Sequence, residues 1–183
     1  MKFTPERPQH LMEKLSNQFS RVAEKAGVTL TFRVAPDLPE CTLDRTTFMR
    51  MMGNLLSNAL KFTPEKGEIT VSVTIVYELS ELLTSIPDGL YPDTMIPAKG
   101  TYLKVLVEDS GVGIPAESIA DIFDRFVQAK NRRNGKTRGT GLGLAFCRKV
   151  MDAHKGLIWV DSEEGKGSRF FALFPLDSGA AIT

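Results

Sequence analysis

The stretch "TRGTGLGLAFCRKV", Thr137 to Val150, sets the reading of the whole chain. Gly139, Gly141 and Gly143 fall at every second position and lead straight into a helical pattern. Glycine spaced this way is costly inside a helix, so the run reads as a loop. Its freed backbone N–H groups and the helix N-terminus behind them suit an anion. No Lys-Ser or Lys-Thr pair follows, which excludes a P-loop, and no clear strand precedes it as a dinucleotide fingerprint requires. Just upstream, Lys130, Arg132, Arg133, Lys136 and Arg138 carry positive charge with no acid among them. A triphosphate with magnesium is one counterpart for such a loop. An acidic protein partner is another.

Two further stretches bear on that choice. In "NLLSNALKF", Asn54 to Phe62, the residues Asn54, Asn58 and Lys61 share one helix face at i, i+4 and i+7. Carboxamide oxygens can help coordinate magnesium, and an ammonium one turn later can reach a phosphate. A plain solvated helix face has the same pattern. In "EDSGVGIP", Glu108 to Pro115, a strand ends in Asp109 and two glycines permit a tight turn. A carboxylate there can accept a hydrogen bond from the exocyclic amine of a base, and Gly111 and Gly113 let a flat ring approach. An ordinary Asp-Ser-Gly turn reads the same way.

The rest of the chain is consistent with one globular domain. It has 183 residues, 42% hydrophobic and 25% charged, with a net charge of +1. That balance does not indicate a general affinity for nucleic acid or an anionic membrane. The two cysteines, Cys41 and Cys147, form neither a metal pattern nor a disulfide framework. With two unpaired cysteines, no apolar run of membrane-span length and no signal peptide at the start, a cytoplasmic setting without direct membrane contact is expected for this chain, any membrane part of a parent protein lying outside it.

Periodicity supplies the elements. Helices are expected over His10 to Ala26 (stripe Leu11, Leu15, Phe19, Val22, Ala26, stop at Gly27), from an Asp44 N-cap to Phe62 (stripe Phe48, Met52, Leu55, Ala59), over Ala116 to Phe126 and over Leu142 to His154. Strands are expected over Val28 to Val34, Glu68 to Val76, Tyr102 to Glu108, Leu157 to Asp161 and Ser168 to Phe174. Between the second and third of these, Tyr77 to Thr101 is long for a connection. Helices packed on one face of a mixed sheet follow from this order.

Taken together, the motifs resemble the catalytic ATP-binding domain of sensor histidine kinases, in the wider superfamily that includes gyrase, Hsp90 and MutL. "NLLSNALKFTP" is similar to that family's N box, "EDSGVGIP" to its G1 box, "IFDRFVQ" to its F box and "RGTGLGL" to its G2 box. "GLIWVDSEEGKGSRFFALFP" is similar to its closing hairpin. The resemblance covers about Leu11 to Pro175, with Tyr77 to Thr101 as an insert and an ATP lid at about 128–140. It implies an α/β (α+β) two-layer sandwich of the Bergerat type, a mixed sheet of about five strands with helices on one face.

The resemblance also implies roles. Asn58 is the expected magnesium ligand, supported by Asn54, and Lys61 approaches phosphate. Phe62 packs near the adenine and Asp109 takes its amino group. Gly111, Gly113 and Ile114 wall the base site, and Ser168 adds a water-mediated contact. Phe123 and Phe126 anchor the lid. Lys136, Thr137, Arg138, Gly139, Thr140, Gly141, Leu142, Gly143 and Leu144 lead past the phosphates. ATP and Mg2+ are the cofactors implied. The implied activity is that of a protein histidine kinase catalytic domain: transfer of the γ-phosphoryl group to a histidine on a separate dimerisation domain, with a response-regulator receiver domain served indirectly.

Some positions depart from that pattern. Relatives that hydrolyse ATP rapidly carry glutamate where this chain has Asn54, and a carboxamide is a poor general base. Many relatives carry Gln or Glu in place of Arg50, and many carry arginine in place of Gln128. The histidines are His10 and His154, neither followed by Glu or Asp. A dimerisation segment is therefore expected to lie outside this chain, and the isolated chain is not expected to phosphorylate itself. His154 is expected to pack or cap its helix. A regulatory nucleotide-binding module and a gyrase-like ATPase are the alternatives.

Overall fold

A computed structural model describes residues 1–78, 82, 99–124 and 142–176. The elements in chain order are β1 (Thr4–Glu6), α1 (Pro8–Lys25), β2 (Thr29–Val34), β3 (Cys41–Leu43), α2 (Arg45–Phe62), β4 (Glu68–Glu78), β5 (Lys99–Asp109), α3 (Ala116–Ile119), α4 (Gly143–Ala153), β6 (Leu157–Glu163) and β7 (Gly167–Pro175). Five strands form one mixed sheet in the order β2-β4-β5-β7-β6. Among the described residues β2 and β4 run parallel and the other pairs of this sheet are antiparallel. The α/β architecture read from the sequence is the one observed.

The helices end where their chemistry ends them. Pro8 opens α1, where its missing N–H costs nothing. Gly27, at φ 67°, closes it. The Gly27 N–H bonds Glu24 O and the Val28 N–H bonds Ala23 O, each at 3.0 Å, which satisfies carbonyls the helix leaves open. Asp44 caps α2 as expected, its Oδ1 accepting the Thr47 N–H at 2.9 Å. The expected stripe on α2 is buried throughout. On α1, Leu11, Leu15 and Phe19 are buried, whereas Val22 is 50% exposed and Ala23 takes its place, one i+4 step from Phe19. The helix expected from Ala116 is short. After Ile119 the chain turns through Asp121 and Asp124 with bonds of i+3 spacing.

The sheet's two faces carry different cores. Ile69, Val71 and Val73 of β4, Leu103, Val105 and Val107 of β5, Ile158 and Val160 of β6, and Phe170, Ala172 and Phe174 of β7 pack with the helices. The alternate residues point the other way, and there Val76, Tyr102, Leu157, Trp159, Phe171 and Leu173 form a second buried cluster that Leu82 joins. Trp159 and Phe171 stack at 4.8 Å with rings 4° apart. The Trp159 Nε1 has no hydrogen-bond partner among the described residues.

A small device joins the far ends of α2 and α4. β1 pairs with β3, a two-stranded sheet that three-residue patterns do not announce. The Lys2 N–H donates to Asp44 Oδ2. The buried His154 donates from Nδ1 to Val150 O at 2.7 Å and accepts the Asp44 N–H on Nε2 at 3.1 Å. The imidazole thus caps α4, as its position suggests, and also ties it to the start of α2. No helix among the described residues is long and apolar enough to cross a membrane.

Candidate functional site

The site forms where the C-terminal end of α2, the end of β5, the β6–β7 hairpin and the first turn of α4 meet. Asp109 is its centre. The antiparallel pairing that closes β5 against β4 and β7 puts this residue at the strand end, opposite Ser168. It is buried, 6% exposed. Burial holds its carboxyl above the usual aspartate range, against the opposing pull of the Gly111 and Ser168 backbone N–H groups. The Gly111 N–H reaches Asp109 Oδ1 at 2.9 Å.

Around this carboxylate the walls are backbone. The Val112 N–H bonds Phe62 O at 3.2 Å, and the Gly165 N–H bonds Val112 O at 2.8 Å. A Cβ on Gly111 would lie 2.6 Å from both Asp109 Oδ1 and Phe62 O. Gly113, at φ 70°, has no room either, since a Cβ would sit 2.0 Å from Glu163 O. Both glycines are there because the chain passes too close to its neighbours for any side chain. Ile114 is half-buried, and its N–H donates to Ser162 Oγ at 2.9 Å. That hydroxyl donates in turn to Gly167 O at 2.7 Å, and Ser168 Oγ lies 3.1 Å away. Ser162 therefore pins the "EDSGVGIP" turn to the hairpin. Sequence reasoning missed it, and its only signal is a small hydroxyl just before "EEGKG". Thr63 was also missed: it is buried, and its Oγ1 has no partner among the described residues.

The other end of the site is built from side chains of α2 and the start of α4. Asn54, Asn58 and Lys61 share a face, as their spacing requires. Asn54 Nδ2 donates to Gly143 O at 3.3 Å, so the two helices meet there. Cys147 lies beside the same contact, its Sγ 3.7 Å from Met51 O. Burial pushes the Cys147 thiol up to about 12, so it is an inert packing group. Asn58 is half-buried and makes no side-chain hydrogen bond among the described residues. The exposed Lys61 places Nζ 4.6 Å from the centre of the Phe62 ring. Leu142 is exposed, Gly143 opens α4 and Leu144 packs on the core. Phe123 is buried, with its ring 6.3 Å from that of Phe170. Phe126, Lys136, Thr137, Arg138, Gly139, Thr140 and Gly141 lie outside the described residues, as does the proposed lid.

The arrangement suits an adenine nucleotide. The buried Asp109 carboxylate is hemmed in by backbone, and the Asn58 amide and the Lys61 ammonium lie on α2 within about one turn of Phe62. No cluster of three or more His, Cys, Asp or Glu side chains able to hold a metal occurs among the described residues. Magnesium here would rest on the Asn58 carboxamide oxygen together with phosphate oxygens and water, since this small hard ion takes oxygen ligands and keeps several of its waters.

Known proteins point the same way. The chain is 37% identical over 133 residues to the sensor histidine kinase WalK of Bacillus subtilis, a match that covers 73% of this chain and 18% of WalK. Its fold matches the nucleotide-free catalytic domain of histidine kinase ThkA with a TM-score of 0.73 and 27% identity, over 96% of this chain and 99% of that one. Full-length ShkA in complex with AMPPNP matches with a TM-score of 0.73 and 25% identity, over 99% of this chain and 32% of that one. The chain thus corresponds to about a fifth of WalK and a third of ShkA, while its fold is that of histidine kinase catalytic domains. The model of one family matches residues 43–178 and so takes in every part of the site, from Asn54 to Ser168. The chain belongs to the histidine kinase-, DNA gyrase B- and HSP90-like ATPase family.

Proposed function

We propose that the chain is a single catalytic domain that binds Mg-ATP and transfers the γ-phosphoryl group to a histidine on a separate dimerisation domain, for onward transfer to a response-regulator receiver. The observation that carries this reading is the glycine-walled, buried Asp109 beside an α2 face on which Asn58 makes no side-chain hydrogen bond among the described residues and Lys61 is exposed. Asp109 accepts the adenine amino group, with Ile114 and Phe62 against the ring and Ser168 at its edge. Asn58 holds the magnesium ion and Lys61 approaches a phosphate. The bound ion supplies positive charge that offsets the charge developing on the transferring group.

Hydrolysis is disfavoured in this reading. Asn54 stands where a base would activate water, and its amide is engaged with Gly143 O. The acceptor is not His154, which is buried with both ring nitrogens engaged. Calorimetry with Mg-ATP, Mg-ADP and adenosine on the wild type and Asn58→Ala tests the reading. We expect Asn58→Ala to lose magnesium-dependent triphosphate binding and phosphoryl transfer, with adenosine recognition nearly intact. Equal loss for adenosine and Mg-ATP would overturn the assignment of Asn58 to the metal. Binding without transfer to a histidine-bearing domain supplied in trans would make the chain a regulatory module.

A further inference from the structure

The site has a direction along α2. Its base end is fixed at Phe62, whose carbonyl receives Val112 and closes on Gly111. Its other end is marked by the contact of Asn54 with Gly143. A nucleotide with its base at Asp109 therefore extends its phosphates toward the N-terminus of α2. The next residue on that face is Arg50, one turn beyond Asn54, or about 6 Å along the axis.

Arg50 is exposed, and its guanidinium carbon lies 4.2 Å from the centre of the Phe146 ring on α4. A guanidinium over an aromatic ring is held in place by the ring while its N–H groups turned away from the ring stay open to an anion. Nothing near it in sequence satisfies those groups. α2, "RTTFMRMMGNLLSNALKF", contains no acidic residue. The ion pairs among the described residues are Arg7–Glu40, Lys166–Glu163 and Arg169–Asp161, none of which involves Arg50.

We propose that Arg50, held over the ring of Phe146, binds the terminal phosphoryl group of the nucleoside triphosphate at the far end of the site from Asp109. The assignment rests on the nucleotide reading above and adds a cationic residue to it. Planar guanidinium suits phosphate oxygens, and its position past Asn54 keeps it beside the group as that group leaves toward its acceptor.

Calorimetry on the full chain decides the matter, with Mg-ADP and a non-hydrolysable Mg-ATP analogue as probes and Arg50→Ala, Arg50→Lys and Phe146→Leu as variants. Removing a charged hydrogen-bond partner should weaken the triphosphate analogue about tenfold or more in Arg50→Ala, with Mg-ADP affinity unchanged within about twofold. Arg50→Lys should fall between wild type and Arg50→Ala, because it keeps the charge and loses the fork. Phe146→Leu should give a smaller loss of the same selectivity. Equal weakening of both nucleotides, or of neither, overturns the proposal. So does a loss confined to the KM for a histidine-bearing domain, which would make Arg50 a docking residue. Failure of the wild type to bind Mg-ADP would instead overturn the nucleotide reading itself, so the two failures are separable.

Discussion

The two ends of the site are made of different material. At the end proposed for the base, Asp109 is held by backbone N–H groups and the walls are peptide planes with no space for a Cβ. At the end proposed for the phosphates, Asn58 makes no side-chain hydrogen bond among the described residues, the exposed Lys61 lies over the Phe62 ring, and Asn54 donates to the neighbouring helix. Backbone walls are fixed when the sheet forms. Side chains on one helix face still have rotamers to lose when a ligand arrives. Recognition of the base should therefore be a property of the fold, and grip on the phosphates a property of the ligand-bound state.

The severest way to break that contrast is at the backbone. Gly113→Ala places a methyl group 2.0 Å from Glu163 O at φ 70°. The left-handed backbone alone costs about 1–3 kcal/mol, and the clash adds to it. We expect a clear fall in melting temperature together with loss of all adenine nucleotides. Normal stability with normal ADP affinity would mean that the base end is not rigid.

Asp109→Asn should separate binding from stability. Loss of the charged acceptor should weaken ATP and ADP alike, by about 1–3 kcal/mol. Because burial raises the carboxyl above its ordinary value of 3.8, ionising it costs the fold. Stability tied to this group is greatest at pH below 3.8 and is lost as pH rises through the raised folded value. The variant should therefore melt higher than wild type at neutral pH, with the gain shrinking as pH falls toward 3.8. Melting curves across that range, paired with ADP calorimetry, check both signs. A variant that melts lower at neutral pH contradicts the electrostatic account.

Asn54→Ala probes the seam between the two ends. It deletes one hydrogen bond to α4, a loss of about 1 kcal/mol in chemical denaturation, and should leave adenosine binding unchanged. Lys61→Ala should do least. An exposed ammonium contributes little, so triphosphate affinity should stay within about fivefold of wild type while adenosine affinity does not move. A larger effect of Lys61→Ala than of Asn58→Ala would reverse the order proposed for the phosphate end.

The same contrast governs what could be read from residues alone. Strict alternation in Ile69, Val71 and Val73, and the α2 stripe, are local patterns and translate directly into elements. Glycine spacing pointed to Gly111 and Gly113 because a close backbone approach leaves its mark as a missing side chain. The second buried face was harder. "LIWV" and "FFALF" are apolar without alternation, since Trp159 and Phe171 are buried on one side while Ile158 and Phe170 are buried on the other. Nothing local distinguishes that from a strand with one wet face. β1 and β3 are too short to carry a period. Ser162, the His154–Asp44 link and the Arg50–Phe146 contact join residues far apart in the chain, and no spacing rule connects them.

Trp159 is the only tryptophan in the chain, and its position gives the molecule a selective optical signal. Its indole is buried, stacked flat on Phe171 and without a hydrogen-bond partner among the described residues. Such an indole emits toward the blue and shifts to the red when water reaches it. It lies on the face of the sheet away from the helices, opposite Phe171, which is three residues along β7 from Ser168, or about 10 Å of strand. Emission should therefore change little when nucleotide binds at the proposed site, and should shift when the cluster around Leu82 is opened. The chain carries its own fluorophore for the face of the sheet away from the proposed site.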